Sequence, residues 1–158
     1  MQKITPFLWF DTQAEEAAKY YTSIFPHSKI GNVSRYDEAG AKASGQPAGS
    51  AMVVAFELNG QEFSAINGGP IFKFNESISF VVNCENQEEV DKYWEKLSAI
   101  PESEQCGWCK DKYGLSWQIV PKQLGELMSK DTSGRVMQAM LQMKKIDVKK
   151  LQEAFEGK

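Results

Sequence analysis

Two stretches of this chain copy one another. EEAAKYYTSIF from Glu15 and EEVDKYWEKLS from Glu88 align at a constant offset, so that Glu15, Glu16, Lys19 and Tyr20 recur as Glu88, Glu89, Lys92 and Tyr93, and Tyr21 becomes Trp94. Each follows an apolar run, PFLWF or SISFVV, and each opens with a helix-start signal. Thr12 with Glu15, and Asn86 with Glu89, have the spacing of a capping box, in which a short polar side chain and a glutamate three residues on satisfy free backbone N–H groups reciprocally. A strand followed by a helix is thus written twice, and any fold for the chain must be assembled from two like modules.

Extended sequence follows each helix. AMVVAFEL and QEFSAI flank Asn59-Gly60, a pair suited to the type I′ hairpin turn because both central residues need positive φ. CGWCKD and LSWQIV flank Tyr113-Gly114 in the same way, while SKIGNVSRY supplies a further strand in the first half and PESEQ a weaker candidate in the second. The expected class is α+β: two βαβββ modules, at 3–70 and 71–121, followed by a C-terminal helical extension at 122–158, all within a single domain spanning 1–158. In the extension, Val136, Met137, Met140, Leu141 and Met143 recur at helical spacing, and Asp147 caps a last helix that buries Val148, Leu151 and Phe155. DEAGAKASGQPAGS, residues 37–50, is Gly-, Ala- and Ser-rich and reads as a mobile loop, either a lid or a surface insertion.

With 158 residues, 42% of them hydrophobic, the chain can build a real core. A net charge of -3 and a single histidine give little attraction for a phosphate backbone, so no nucleic-acid partner is expected. The longest uncharged run, ASGQPAGSAMVVAF between Lys42 and Glu57, is too short to span a bilayer, no N-terminal stretch has signal-peptide character, and a cytoplasmic location without membrane contact is expected. Three cysteines, an odd number, fit a reducing compartment. Cys106 and Cys109 form a CxxC, but the spacing reads as strand: residues three apart lie roughly 10 Å apart on opposite faces and cannot bridge. Free thiols in a sheet are expected, and Cys84 with His27 does not complete a zinc knuckle.

Beyond the duplication, the stretches TPFLWFDTQAEEAAKYYTSIFPHSKI, SAINGGPIFKFNESISFVVNC, QCGWCKDKYGLSWQIVP and RVMQAMLQMKKIDVKKLQEAF resemble the PhnB-like branch of the vicinal-oxygen-chelate superfamily. That superfamily includes glyoxalases, bleomycin-resistance proteins and extradiol dioxygenases, and this branch often carries the label 3-demethylubiquinone-9 3-methyltransferase. The resemblance implies a glyoxalase-like pair of curved mixed sheets or half-barrels, a homodimer, and a cleft. It also implies where metal ligands would stand: near Thr5 or Pro6 on the first strand, at Ser77, and at Gln118 on the last strand. None of these is a good ligand for a catalytic divalent ion, which takes about three imidazole or carboxylate donors. The sole histidine, His27, reads as a surface residue in the turn after a helix. No metal and no cofactor are expected, and the Gly pair in NGGP reads as a linker between modules rather than a nucleotide loop.

Period-two parity then sorts each strand into a core face and a cleft face. In SISFVV, Ile78, Phe80 and Val82 are core and Ser77, Ser79 and Val81 face the cleft. In LSWQIV, Leu115, Trp117 and Ile119 are core and Ser116, Gln118 and Val120 face the cleft. The first hairpin sets Ala55 opposite Ser64, Val53 opposite Ile66, and Glu57 opposite Glu62 near its tip. The candidate ligand-binding residues are Ser64, Ser77, Ser79, Ser116 and Gln118, an uncharged lining with no general base beside the serines. Parity does not settle the side on which Trp9, Trp108, Phe72 and Phe74 lie; the core is favoured for each, because aromatic residues usually dominate burial, with gating of the cleft the alternative for Phe72 and Phe74. The function expected is metal-free binding of a small aromatic or hydrophobic molecule; the alternative is an enzyme of the same fold, a glyoxalase- or dioxygenase-like metalloenzyme or a methyltransferase acting on a demethylubiquinone-like substrate. Since no disulfide is expected, adding dithiothreitol should leave the circular dichroism spectrum and the sedimentation coefficient of the protein unchanged.

Overall fold

The first hairpin forms as its turn residues require. A computed structural model describes residues 1–158, and in it β3 (Ala51–Leu58) and β4 (Gln61–Asn67) pair antiparallel about Asn59 and Gly60, whose φ values are 49° and 80°. Val53 meets Ile66, Ala55 meets Ser64 and Glu57 meets Glu62. β1 (Phe7–Phe10) lies parallel to β4, β2 (Lys29–Arg35) lies antiparallel to β3, and the sheet order is β1-β4-β3-β2. α1 (Ala14–Ile24) crosses one face. Its buried side is Ala14, Ala17, Ala18, Tyr21 and Ile24; the three alanines let the helix approach closely, and Tyr21 stacks on Phe56, which stacks on Phe63 at 5.4 Å. These elements form one of two compact units, Met1–Lys73; the other is Phe74–Lys158.

The second unit repeats the plan with one strand fewer. β5 (Ser79–Cys84) lies parallel to β7 (Ser116–Pro121), β6 (Trp108–Lys110) lies antiparallel to β7, and the order is β5-β7-β6. With α2 given to Glu38–Ser44 in the first unit, the helix that follows β5 is α3, Gln87–Leu97. α1 and α3 have eleven residues each, and one offset aligns both of their ends. PESEQ does not form a strand: Pro101–Ser103 is a single 3₁₀ turn with proline at its start, leaving only an isolated bridge between Gln105 and Trp108. Residues 37–50 also differ from expectation. Asp37 accepts a hydrogen bond from the Gly40 N–H, α2 follows, and Gly45 ends it at φ 74°, so alanine propensity and good caps prevail over the loop-like composition.

The two helix starts are solved differently. Asn86 accepts from the Glu89 N–H at 3.0 Å while Glu89 accepts from the Glu85 N–H, a reciprocal cap. Thr12 does not cap α1. Three residues, Asp11–Gln13, separate β1 from α1, against two between β5 and α3, and the extra residue carries Thr12 out of position. The cap comes instead from the far end of β4: buried Asn67 accepts the Ala14 N–H at 2.8 Å and donates to the Ala51 carbonyl at 3.1 Å.

C-terminal to β7, α4 (Lys122–Lys130), α5 (Arg135–Leu141) and α6 (Val148–Glu156) enclose a small core of Leu127, Val136, Ile146 and Leu151, with Met140, Met143 and Phe155 packed against it. Asp147 caps α6 through the Lys150 N–H. The layer is fastened to the second sheet at Gly107, where an added Cβ would stand 3.1 Å from both Ile146 and the Ile119 carbonyl. Backbone bonds from Cys106 to Met143 and from Gly107 to Lys144 complete the junction.

Cys106 is therefore not on a strand. Gln105 and Trp108 exchange backbone hydrogen bonds around Cys106 and Gly107, at φ 51° and 86°, so the first half of the CxxC is the tip of a second two-residue hairpin. Cys109 lies on β6, buried, and all three cysteines are free. Burial, with the nearby Asp111 and Glu104 charges, pushes the Cys109 thiol up to about 12, and burial with Glu89 pushes Cys84 to about 11.

Two predictions follow from these contacts. Replacing Asn67 by alanine removes the α1 cap and leaves a buried N–H and C=O unpaired, which should cost about 2–4 kcal/mol in chemical denaturation; the Thr12→Ala change should cost well under 1 kcal/mol, about the scale of an exposed substitution. Because both thiol values are raised above the ordinary 9.0, the stability held below that pH should decline as pH rises from about 9 toward 11 and 12. Replacing Cys84 and Cys109 by alanine should flatten that alkaline decline, read as urea midpoints against pH.

Candidate functional site

In each unit the helix covers one face of the sheet and side-chain alternation sends the other residues to the opposite face. On β7, Trp117, Ile119 and Pro121 lie on the α3 side, all buried, as is Leu115 just before the strand. Val82 and Cys84 share that side on β5, and the Phe80 ring lies 5.7 Å from that of Trp117. Ile78 has the parity assigned to it but precedes the strand and is 67% exposed, so it is not part of the core.

The open face of the second sheet is built in rows by the pairing. One row runs Ser79, Ser116, Lys110 across the three strands; the next runs Val81, Gln118, Trp108. Gln118 Nε2 donates to Ser79 Oγ at 2.9 Å, tying the two rows together. Ser116 is buried, and its Oγ has no hydrogen-bond partner. Ser79, Ser116 and Gln118 are therefore brought together. Ser77 is not in the strand: it is exposed, and its N–H and hydroxyl both donate to Asn75 Oδ1 in the turn leading into β5. Ser64 lies on the open face of the other unit's sheet, half-buried, in register with Phe7 and Ala55.

The uncharged lining expected from the sequence is not what the second sheet presents. Lys110 stands in the Ser116 row with a side chain only 20% exposed, and its ammonium pairs with the more exposed carboxylate of Glu76, which it holds below the usual carboxylate range. Trp108, half-buried, flanks Gln118. The register of CGWCKD against LSWQIV was the signal for both, but it depends on where the Cys106-Gly107 hairpin turns. The turn between β6 and β7 is held by another residue that parity did not single out. Asp111, fully buried, accepts the Tyr113 and Leu115 N–H groups and the Trp117 indole N–H. These bonds fix the β6–β7 register, so Asp111 positions the face rather than lining it.

On the first sheet the open face carries Phe7, Val53, Ala55, Glu57, Glu62 and Ser64. A shallow hollow of about 360 Å³ lies there, edged by Thr5, Lys29 and Gly31. Glu57 and Glu62 face each other as expected, with the Lys29 ammonium 3.5 Å from Glu57 to offset their repulsion. Trp9 turns its indole over Gly68, where an added Cβ would stand 2.1 Å from the ring, and donates to the Gly69 carbonyl at 3.0 Å. Phe72 meets that indole edge-on at 5.0 Å. The NGGP segment is thus a seat for an indole, with its backbone oriented by Trp9. None of Trp9, Trp108, Phe72 and Phe74 is a core residue: three are half-buried and Phe72 is 62% exposed, because each projects from an open face or from the stretch between β4 and β5.

No group of three or more His, Cys, Asp or Glu side chains is placed to hold a metal ion. At the positions where the sequence resemblance implies metal ligands, Thr5 or Pro6, Ser77 and Gln118 offer at most hydroxyls and an amide, which do not fit a catalytic divalent ion. No helix is long and apolar enough to cross a membrane.

Comparison with known proteins places this arrangement. The family model described as 3-demethylubiquinone-9 3-methyltransferase matches residues 2–120, which leaves α4–α6 outside the match although the sequence resemblance was drawn through them. Among solved structures, a putative 3-demethylubiquinone-9 3-methyltransferase, PhnB protein, from Bacillus cereus is 41% identical, with a TM-score of 0.63 over 76% of this chain and 99% of that one. A Pseudomonas aeruginosa protein, 16% identical with a TM-score of 0.56 over 77% of this chain and 98% of that one, shares the fold. A glyoxylase/bleomycin resistance protein/dioxygenase domain from Frankia is 13% identical, with a TM-score of 0.48 over 77% of this chain and 92% of that one. No curated protein matches. With the family model matching most of the chain and a 41% identical PhnB protein beside it, the chain belongs to the 3-demethylubiquinone-9 3-methyltransferase family, in its PhnB-like branch.

Proposed function

We propose that this protein is a metal-independent small-molecule-binding protein, and that its ligand is small and aromatic or hydrophobic. The observation that carries the reading is the open face of β5-β7-β6, where a bonded Gln118–Ser79 pair and the Ser116 hydroxyl lie beside the Trp108 indole and apolar Val81. Polar groups that fix an orientation next to apolar surface that supplies affinity are the usual composition of a ligand site. Ser77 stands at the entrance to that strand. Ser64 is the first module's counterpart of Gln118: the buried pairs Leu8/Phe10 and Val82/Cys84 superimpose the two first strands, which sets Ser64 opposite Phe7 as Gln118 is opposite Val81. The reading treats residues 1–158 as one functional domain, with modules at 3–70 and 71–121 and the extension at 122–158. It includes a homodimer, supported by the exposed Ile4, Phe7, Ile71 and Phe72 of the first unit.

A second reading, methyl transfer, is favoured by the family description alone. The Gly-rich segment that could be sought as a nucleotide loop is occupied by Trp9.

In 15N-labelled protein titrated with phenol and indole, the amides of Ser79, Val81, Ser116 and Gln118 and the Trp108 indole N–H should shift together, with or without EDTA. The Ser79→Ala/Gln118→Ala double variant should weaken that binding by roughly three- to tenfold, the worth of one or two hydrogen bonds. Stoichiometric zinc, nickel, manganese or iron needed for binding, or saturable micromolar binding of S-adenosylmethionine, would instead make the chain an enzyme of this fold.

A further inference from the structure

The Glu76–Lys110 ion pair has an unusual span. Lys110 is on β6, at one edge of the sheet; Glu76 lies three residues before Ser79, which opens β5 at the other edge. Two strand spacings, about 9.6 Å, separate those edges, and the strand between them presents Ser116 in the same row. Lys110 and Ser116 are neighbours in that row on the helix-free face, and Ser116 there is only 1% exposed, with its Oγ lacking a partner. Leaving a buried hydroxyl unpaired costs free energy that the native chain recovers only if another group can reach it.

The two members of the pair are unequal. The Lys110 side chain is 20% exposed and that of Glu76 is 63% exposed. A largely sheltered ammonium needs an anion, while an exposed carboxylate on a turn has water as an alternative, so the glutamate is the member that can leave at small cost. An incoming carboxylate could take over the ammonium and, with its second oxygen, accept the unused Ser116 O–H. An aromatic or apolar body attached to it would then lie along the Gln118 row against Trp108 and Val81.

We propose that the site selects a small aromatic or apolar acid, and that Glu76 is a resident carboxylate which holds Lys110 and covers Ser116 until the ligand's own carboxylate displaces it. The proposal rests on the binding reading above and adds the charge of the ligand and the latch that admits it.

The test uses the full chain, 15N-labelled, with benzoate and phenylacetate as probes and benzamide and phenylacetamide as their neutral counterparts. The acids should bind roughly tenfold more tightly than the amides, the scale of one charge-assisted hydrogen bond, with the Ser116 and Lys110 amides shifting most. Removing the competitor in Glu76→Gln should tighten acid binding by about three- to tenfold and leave the amides unchanged. Lys110→Met should abolish the difference between acid and amide, and Lys110→Arg should restore it; Ser116→Ala should weaken the acids alone. If acids and amides bind this face equally well and Glu76→Gln changes neither, the latch is wrong while the binding site stands. If none of the four probes, nor phenol or indole, perturbs the face, the site and the latch fail together.

Discussion

Parallel pairing between the first and last strands of each unit is the constraint on which the rest of the molecule depends. β1 lies beside β4 and β5 beside β7, and in both cases the chain leaves the first strand through a helix that returns across the sheet. A parallel pair cannot be closed by a tight turn, so a long crossover is needed; in both units it begins with a helix, and that helix covers only one face. Tyr21, Phe56 and Phe63 fill that covered face in the first unit, and Tyr93, Trp117 and Ile119 fill it in the second. What is left over, by alternation, is a helix-free face on each sheet. The candidate site is a consequence of that asymmetry rather than an addition to it.

How well the leftover face is defined depends on polar contacts that seldom come from neighbours in sequence. Asn67 at the end of β4 starts a helix more than fifty residues earlier in the chain, while Asp111 pins the β6–β7 turn through two backbone donors and an indole. Both are buried groups with several bonds each, the condition under which a polar side chain stabilises a unique geometry instead of penalising it. Just before β6, Gly107 admits the Ile146 side chain and so lets the C-terminal layer, with its own small core, support the hairpin that presents Trp108 and Lys110.

Much of the candidate site was legible in the sequence, and what was missed has a common origin. Ser79, Ser116 and Gln118 follow from parity along β5 and β7, since strand alternation is a local property of the backbone. Lys110 and Trp108 were not recognised as their neighbours because β6 begins only after a turn that the CxxC disguised; with Cys106 read as strand, the register of everything after it was open. Ile78 failed for a simpler reason: its parity was right, but the strand starts one residue later. Thr12 matched a capping pattern and lost to Asn67 because a single extra residue in the β1–α1 connection moved it out of reach.

The amino-acid sequence by itself determined the duplication, the helices that repeat it, the Asn59-Gly60 hairpin and the faces on which the residues of β5 and β7 fall, because these depend on periodicity and turn chemistry within a few residues. Only the tertiary structure decided which side chain caps α1, that residues 37–50 contain a helix and 101–103 no strand, that Trp9 rests on Gly68, and that Lys110 in the Ser116 row pairs with Glu76. Those outcomes are set by pairs far apart in the chain, and a distance between such residues has no local signature until the sheet brings its strands side by side.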